Sequence, residues 1–509
     1  MGKLMLDGAS LDIKDLISVT RGMRPVELTK AAEIKVNRAR ELVDRYVEEN
    51  RIEYGINTGF GEFSKVLISK KDTKELQRNL IVSHACGVGN PLDEDIVRGV
   101  MLLRVNALSI GFSGIRLSTI QVLVDMLNKG VHPIIPEKGS LGASGDLAPL
   151  SHMVLVMLGL GEAIYKGIRM PGKEAMEKAG IETIVLTAKE GLALINGTQV
   201  MTSVGAHTIA DGINLYKTAI VACGLSVEAL QGITDAFEPM IHIIRRQEGQ
   251  IQAADALLKT LKGNRNTTRQ GELRMQDAYA LRCAPQVHGA SHDCLKYVKG
   301  KVELEMNAVT DNPIILVDED RVISGGNFHG EPLAQVFDYL KIGLAELGNI
   351  CERRIERMVN PTLSNGLPAF LIDNGGLNSG FMVVQYSAAS LVSENKVLAH
   401  PASVDSISSS ANQEDHVSMG TIAARQAREI QFNVGRVIAM ELLTACQAID
   451  LRGDKGLGEG SQIAYDAIRE VVTFMDRDRV MNTDIEKVIK LVESGQISKI
   501  VEEKVGSLF

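Results

Sequence analysis

The 509 residues include only six cysteines, at positions 86, 223, 283, 294, 351 and 446, with no CxxC pair and no compact framework among them. A disulfide scaffold is thereby excluded, and reduced, mostly buried thiols in a reducing cytoplasm are expected. No uncharged apolar run reaches 18 residues, so no membrane span is predicted. The opening MGKLMLDGASLDIKDL carries Asp7, Asp12 and Asp15 where a secretory leader needs an apolar run. Positive charge is not in excess: the net charge is -8 and the pI about 5.8, which argues against nucleic acid as the main partner and favours a small substrate. No GxxxxGK[ST] occurs, and the glycines of KGLGEGS at 455–461 follow no predicted strand, so nucleotide binding has little support. His288 and His292 stand four residues apart without an HExxH, and no metal site is expected from them. No repeat with a period of 20 to 50 residues is apparent.

What is present is an ordinary globular composition, 45% apolar and 23% charged. The length suits two to four domains or one large helical assembly. The first 30 residues read as short strands and turns, followed by an amphipathic helix over Ala31–Asn50. YGINTGFGEF at 54–63 suits a mobile loop over a site. Helical patterns resume through 73–129, until HPIIPEKGSLGASGDLAP interrupts them with three prolines and three glycines. Beyond Asn196 the character changes. Between Met201 and Asp235 only Asp211, Lys217, Glu228 and Asp235 are charged, as in a helix buried on all sides. Val336, Leu340, Leu344, Leu347, Cys351, Ile355 and Met358 repeat at intervals of three and four, predicting one long helix over 334–359, and 417–452 reads as another. PIILVDEDRVIS at 313–324 is the clear hairpin candidate. The fold class expected is mainly α, a long-helix bundle. Residues 1–195 are expected to form a smaller N-terminal domain, and 196–509 the bundle with C-terminal helices. The surplus of all-round apolar helices points to self-association.

Within GSLGASGDLAPLSHM at 139–153, Ala143-Ser144-Gly145 is a tripeptide able to react with itself. Attack of the Gly145 nitrogen on the Ala143 carbonyl carbon, with loss of water, closes an imidazolone; loss of the Ser144 hydroxyl then leaves an exocyclic methylidene. Such a ring is a strong electrophile, which standard side chains do not supply. Twisting the Gly145 amide out of conjugation opposes a barrier of roughly 18–20 kcal/mol, so the loop must be held strained by its surroundings. Gly142 and Gly145 permit unusual dihedrals, and Pro133, Pro136 and Pro149 stiffen the flanks. Alone, an Ala-Ser-Gly segment is most often only a turn.

This segment resembles the signature of the aromatic amino acid lyases and aminomutases, which carry an autocatalytic 4-methylidene-imidazol-5-one group. Further blocks are similar to that family, in its order: YGINTGFG at 54–61, SHACGVG at 83–89, LINGTQ at 194–199, QDAYALRCAPQVHGA at 276–290, TDNP at 310–313, SGGNFHGEP at 324–332 and SSANQEDHVSMG at 409–420. The resemblance implies an aspartase/fumarase-like helical fold. It also implies the group formed from Ala143, Ser144 and Gly145 with no external cofactor, and a homotetramer whose active sites draw on three subunits. Ser83-His84 stands where phenylalanine-specific relatives typically carry Phe-Leu and tyrosine-specific ones His-Leu. That pair and the form ANQEDHVSMG, with Glu414, resemble the histidine-specific members, which release ammonia from L-histidine to give trans-urocanate. An imidazole has donor and acceptor edges that His84 and Glu414 would satisfy, whereas a phenyl ring would leave them unpaired.

By the same resemblance Tyr54 is the expected base for the β-proton, and its pKa would have to be lowered. Arg282 is expected to clamp the substrate carboxylate, with Asn196 as a hydrogen-bonding partner. Tyr279 would assist proton handling or orient the substrate, and Phe328 would pack beside the electrophile. Gln276 and Gln413 would support the imidazole site. The bland alternatives are packing roles for Tyr54 and Phe328, a capping or core role for His84, and structural ion pairs for Glu414 and for Arg282, the latter with Asp277. Ser408 departs from the histidine-specific pattern, where proline is commoner, and bears on loop stiffness. The competing activities are those of tyrosine or phenylalanine lyases and of aminomutases; a non-catalytic oligomeric scaffold is the alternative from another class.

Overall fold

A computed structural model describes residues 2–56, 58, 68–69 and 72–509. The chain is mainly α, and its compact parts are two units, each assembled from three stretches of sequence: 1–207, 299–338 and 401–425 in the first, 208–298, 339–400 and 426–509 in the second.

In the first unit, residues 1–30 differ from expectation. Strands Leu4–Leu6 and Val26–Leu28 pair in parallel, but a two-turn helix, Ile13–Thr20, lies between them. Asp12 caps it by accepting from the Asp15 N–H at 2.7 Å, and Ile13, Leu16 and Val19 fall on one buried face. The polar residues that resembled a turn are the cap. Helix Lys30–Glu48 begins on Thr29, whose side chain accepts from the Ala32 N–H. Helix Glu94–Ser109 is buried from Ile96 onward although it contains Arg98 and Arg104. Arg98 is tolerated because it donates to Val19 O at 2.7 Å and Leu127 O at 2.9 Å, carbonyls at the ends of two other helices. The expected hairpin is Ile314–Leu316 paired antiparallel with Arg321–Ile323.

The long helices follow their periodicity. Gln199–Ala229 is buried almost throughout, and Glu331–Val359 buries all seven apolar positions read from the sequence. In the second unit a buried polar cluster joins four of them. Arg354 donates from Nε to Glu441 Oε1 at 2.5 Å and from Nη2 to Oε2 at 3.0 Å, and both residues are fully buried. Ser226 Oγ also donates to Glu441, at 2.7 Å, while Arg354 Nη1 lies 3.2 Å from His288 Nε2. His292 packs instead against the rings of Tyr216 and Phe509. All six cysteines are free; Cys86 is exposed, Cys283 half-buried and the rest buried. Among the described residues no helix is long and apolar enough to cross a membrane.

Candidate active site

The loop between strand Pro136–Lys138 and helix Leu147–Met157 carries Ala143-Ser144-Gly145. Gly142 and Gly145 adopt φ of +72° and +75°. No side chain fits at either: a Cβ on Gly142 would lie 2.3 Å from Ser418 Oγ, and one on Gly145 only 2.1 Å from Gly197 O. Two backbone bonds bridge Gly145 to Gly197. Asp146 N–H donates to Gly197 O at 2.7 Å, and Gly197 N–H to Ser144 O at 3.3 Å. From the other side Met419 N–H donates to Leu141 O at 3.2 Å and Ser418 Oγ to Gly142 O at 3.1 Å, while Ala143 packs against Val417 and Met419.

Asp146 anchors this arrangement. Its buried carboxylate accepts from the Val200 and Met201 N–H groups, each at 2.9 Å, from Ser140 Oγ at 2.8 Å and from Thr421 Oγ1. The two N–H groups belong to the first turn of helix Gln199–Ala229, where a negative charge is favoured. Burial pushes the Asp146 carboxyl above its ordinary range, and the four hydrogen bonds oppose that shift. Asp146 was not among the residues singled out from sequence. Its place directly after the tripeptide was a signal, but its reach to residue 200 was not readable. The glycine conformations and the clamp from two sides fit the imidazolone: they hold the Gly145 backbone where no other residue could stand.

Around the tripeptide opens a cavity of about 400 Å³, lined by His84, Ala143, Ser144, Gly145 and Glu414 among others. Glu414 Oε1 accepts from Ser144 Oγ at 3.0 Å, and Oε2 from Ser409 Oγ at 3.2 Å. Its position is set by a tight turn in which Ser410, Ala411 and Asn412 take φ of 52°, 54° and 68°. Left-handed conformations cost about 1–2 kcal/mol per residue, so the turn must be imposed by its contacts. One of these is Ser408, whose Oγ donates to Asn412 Oδ1 at 2.6 Å, a fastening that proline would lack. His84 ends helix Thr73–His84, with Nδ1 3.0 Å from Ser83 Oγ. Burial lowers its pKa, opposed by a hydrogen bond to the Leu80 backbone and then by the Glu414 charge, and the net shift favours the neutral imidazole.

Asn196 is buried beside the Gly197 bridge. Its Nδ2 donates to Asn312 O at 3.0 Å and its carbonyl accepts from Arg104 Nη1 at 2.6 Å, while Oδ1 has no partner. Asp311, in the TDNP block, pairs with fully buried Lys189 at 2.7 Å, a second contact not foreseen from sequence. Tyr54 is half-buried in a turn whose Gly55 packs on Leu192 and Pro313. The remainder of its loop, 57 and 59–67, lies outside the described residues, as does the expected closure over the site. Phe328 is half-buried and Gln413 exposed.

Gln276, Tyr279 and Arg282 belong to the second unit. Gln276 is exposed, and Tyr279 stands 67% exposed beneath the Arg282 guanidinium, 4.6 Å from the ring centroid. Arg282 Nε donates to the Asp277 backbone carbonyl at 2.9 Å, not to its carboxylate. That carboxylate accepts from Arg274 Nε and from Ile233 N–H, both at 2.6 Å. The alternative of an Arg282–Asp277 ion pair is therefore not what forms.

A profile of the aromatic amino acid lyases matches residues 11–470. The chain belongs to the aromatic amino acid lyase family. Its similarity extends over full-length relatives: it is 62% identical over 505 residues to a histidine ammonia-lyase of Alkaliphilus oremlandii, covering 99% of each chain. Among solved structures, the histidine ammonia-lyase of Trypanosoma cruzi matches with a TM-score of 0.92 at 45% identity, covering 98% of this chain and 95% of that one. The tyrosine aminomutase of Streptomyces globisporus matches with a TM-score of 0.95 at 35% identity, covering 99% of both. Overall shape thus does not separate lyase from aminomutase in this family, and substrate and outcome have to be argued from the residues of the site.

Proposed function

We propose that this family member eliminates ammonia from L-histidine to give trans-urocanate, the first step of histidine degradation. The observation that carries the reading is the meeting of Glu414 and neutral His84 on the cavity that holds Ala143-Ser144-Gly145. The relatives named as histidine ammonia-lyases at high identity support it. The 4-methylidene-imidazol-5-one formed from these three residues supplies the electrophile that activates the substrate toward loss of its amine.

The remaining work falls to side chains. The Glu414 carboxylate accepts an imidazole N–H, a charge-assisted bond worth about 1.5–3 kcal/mol, and a phenyl or phenol substrate would leave that charge unmatched. Neutral His84, with Nδ1 turned to Ser83, offers its other ring nitrogen to the substrate. Tyr54 removes the β-proton. Arg282 holds the substrate carboxylate with its planar fork, assisted by Asn196. Tyr279 orients the substrate or shares the proton handling, Phe328 packs beside the electrophile, and Gln276 and Gln413 support the imidazole site. Self-association as a homotetramer with shared active sites is part of this reading. The layout of an electrophile-bearing part over 1–195 and a helical part over 196–509 belongs to the same proposal. Free, mostly buried thiols agree with a cytoplasmic location, and no nucleic-acid or membrane partner is invoked.

Incubation with L-histidine, with absorbance scanning for urocanate, tests the reading. Accumulation of cinnamate or coumarate from phenylalanine or tyrosine without urocanate from histidine would sink it, and a β-amino acid without free ammonia would mark an aminomutase.

A further inference from the structure

His329 and His416 face one another outside the cavity and join two segments of the proposed site. His329 follows Phe328 in the turn before helix Glu331–Val359, and His416 lies two residues past Glu414; both belong to the first unit. Their rings stack with centroids 5.5 Å apart and planes at 29°.

The hydrogen bonds have a direction. Glu331 N–H donates to His329 Nδ1 at 3.3 Å, so that nitrogen is an acceptor and the ring proton sits on Nε2. His329 Nε2 lies 3.2 Å from His416 O and 3.4 Å from His416 Nδ1. A carbonyl can only accept, so the second contact demands the same tautomer as the first. The chain of bonds therefore runs from the start of the Glu331 helix, through His329, to the backbone immediately beyond Glu414. It ends on a segment that needs restraint, because the three left-handed residues ahead of Glu414 do not hold their conformation by propensity.

We propose that His329 and His416 are positioning residues: they lock the Phe328 turn to the Glu414 turn, so that the aromatic wall and the imidazole-binding carboxylate keep a fixed register. The inference rests on the reading of Glu414 and Phe328 as substrate contacts. Neither histidine touches reacting atoms. The pair acts through its neighbours.

Two substitutions at one position separate this from a merely structural role. Asparagine is too short to reach His416, whereas glutamine places an amide N–H where Nε2 stands. His329→Asn is expected to raise KM for L-histidine about fivefold with kcat within about twofold, and His329→Gln to stay near wild type. Hydrogen exchange followed by mass spectrometry should quicken over 409–419 as well as 324–332 in the Asn variant only. Loss of two waters at the tripeptide should be retained in both variants. Equal behaviour of the two variants, or unchanged exchange over 409–419 in His329→Asn, overturns the proposal. Should the wild type form no urocanate, the reading of the reaction fails separately, and the exchange comparison alone decides the clamp.

Discussion

Ser144 donates its hydroxyl to Glu414 at 3.0 Å, joining the residue expected to lose its side-chain oxygen to the residue expected to recognise the substrate. Maturation and specificity thus meet at one contact, and substitutions on its two sides should separate them.

Ser144→Ala removes the hydroxyl and with it the methylidene. Folding loses one hydrogen bond at a half-buried position, about 1 kcal/mol, so assembly and melting temperature should hold. Turnover should drop by roughly a thousandfold or more, the scale of deleting a principal catalytic group. Intact mass should lack the loss of two waters at 143–145. Near-normal turnover would refute the central assignment.

Glu414→Gln keeps the shape and an acceptor for Ser144 but removes the charge. The two-water mass loss should remain, while kcat/KM for L-histidine falls about ten- to a hundredfold, the range of a charge-assisted bond. Because the Glu414 charge raises the pKa of His84 against the larger effect of burial, the substitution should drive His84 lower still. Titration of the His84 ring by NMR reads that shift. An unchanged kcat/KM with L-histidine would remove Glu414 from substrate recognition.

These residues were legible in the sequence because they sit in contiguous blocks, and the long helices were legible because burial imposes a period of three and four on one chain segment. What sequence could not carry were pairings made across many residues. Asp146 accepts from N–H groups 54 and 55 positions away, and Arg354 finds Glu441 after 87. Nor could spacing distinguish the carboxylate of Asp277 from its carbonyl as the partner of Arg282, since both lie on the same residue. Helix Ile13–Thr20 was missed for a local reason: one aspartate can start a turn or cap a helix, and only the buried face decides.

The Arg354–Glu441 pair lends itself to a cycle of substitutions. Both groups are fully buried, so Glu441→Gln leaves a guanidinium without its counter-charge and should destabilise by about 3–5 kcal/mol. Replacing both by apolar residues of similar volume, Arg354→Met with Glu441→Leu, removes the uncompensated charge and should recover most of that loss. Urea denaturation at fixed protein concentration measures each variant. A double variant as unstable as Glu441→Gln would mean that the cluster is needed for more than charge balance.

His288 adds a pH dependence to the same cluster. Arg354 can only donate, so the contact at 3.2 Å makes His288 Nε2 an acceptor and puts the ring proton on Nδ1, which has no partner. Burial first, and the Arg354 charge second, hold its pKa well below 6.5. The unfolded chain takes up this proton as pH falls through 6.5 while the folded chain does not, so the contribution to stability declines below pH 6.5 and goes on declining until the folded pKa is reached. Glu228 slopes the other way: burial raises its carboxyl from 4.5 to about 7, so stability is lost as pH rises between those values. A comparison with His288→Gln isolates the imidazole, because Glu228 titrates alike in both proteins and the glutamine oxygen can still accept from Arg354. Relative to wild type the variant should gain up to about 1.4 kcal/mol per pH unit below about pH 6.5. Denaturation curves at about pH 7.5 and about pH 5.5 give that difference, and parallel changes in the two proteins would mean that His288 is protonated in the folded state.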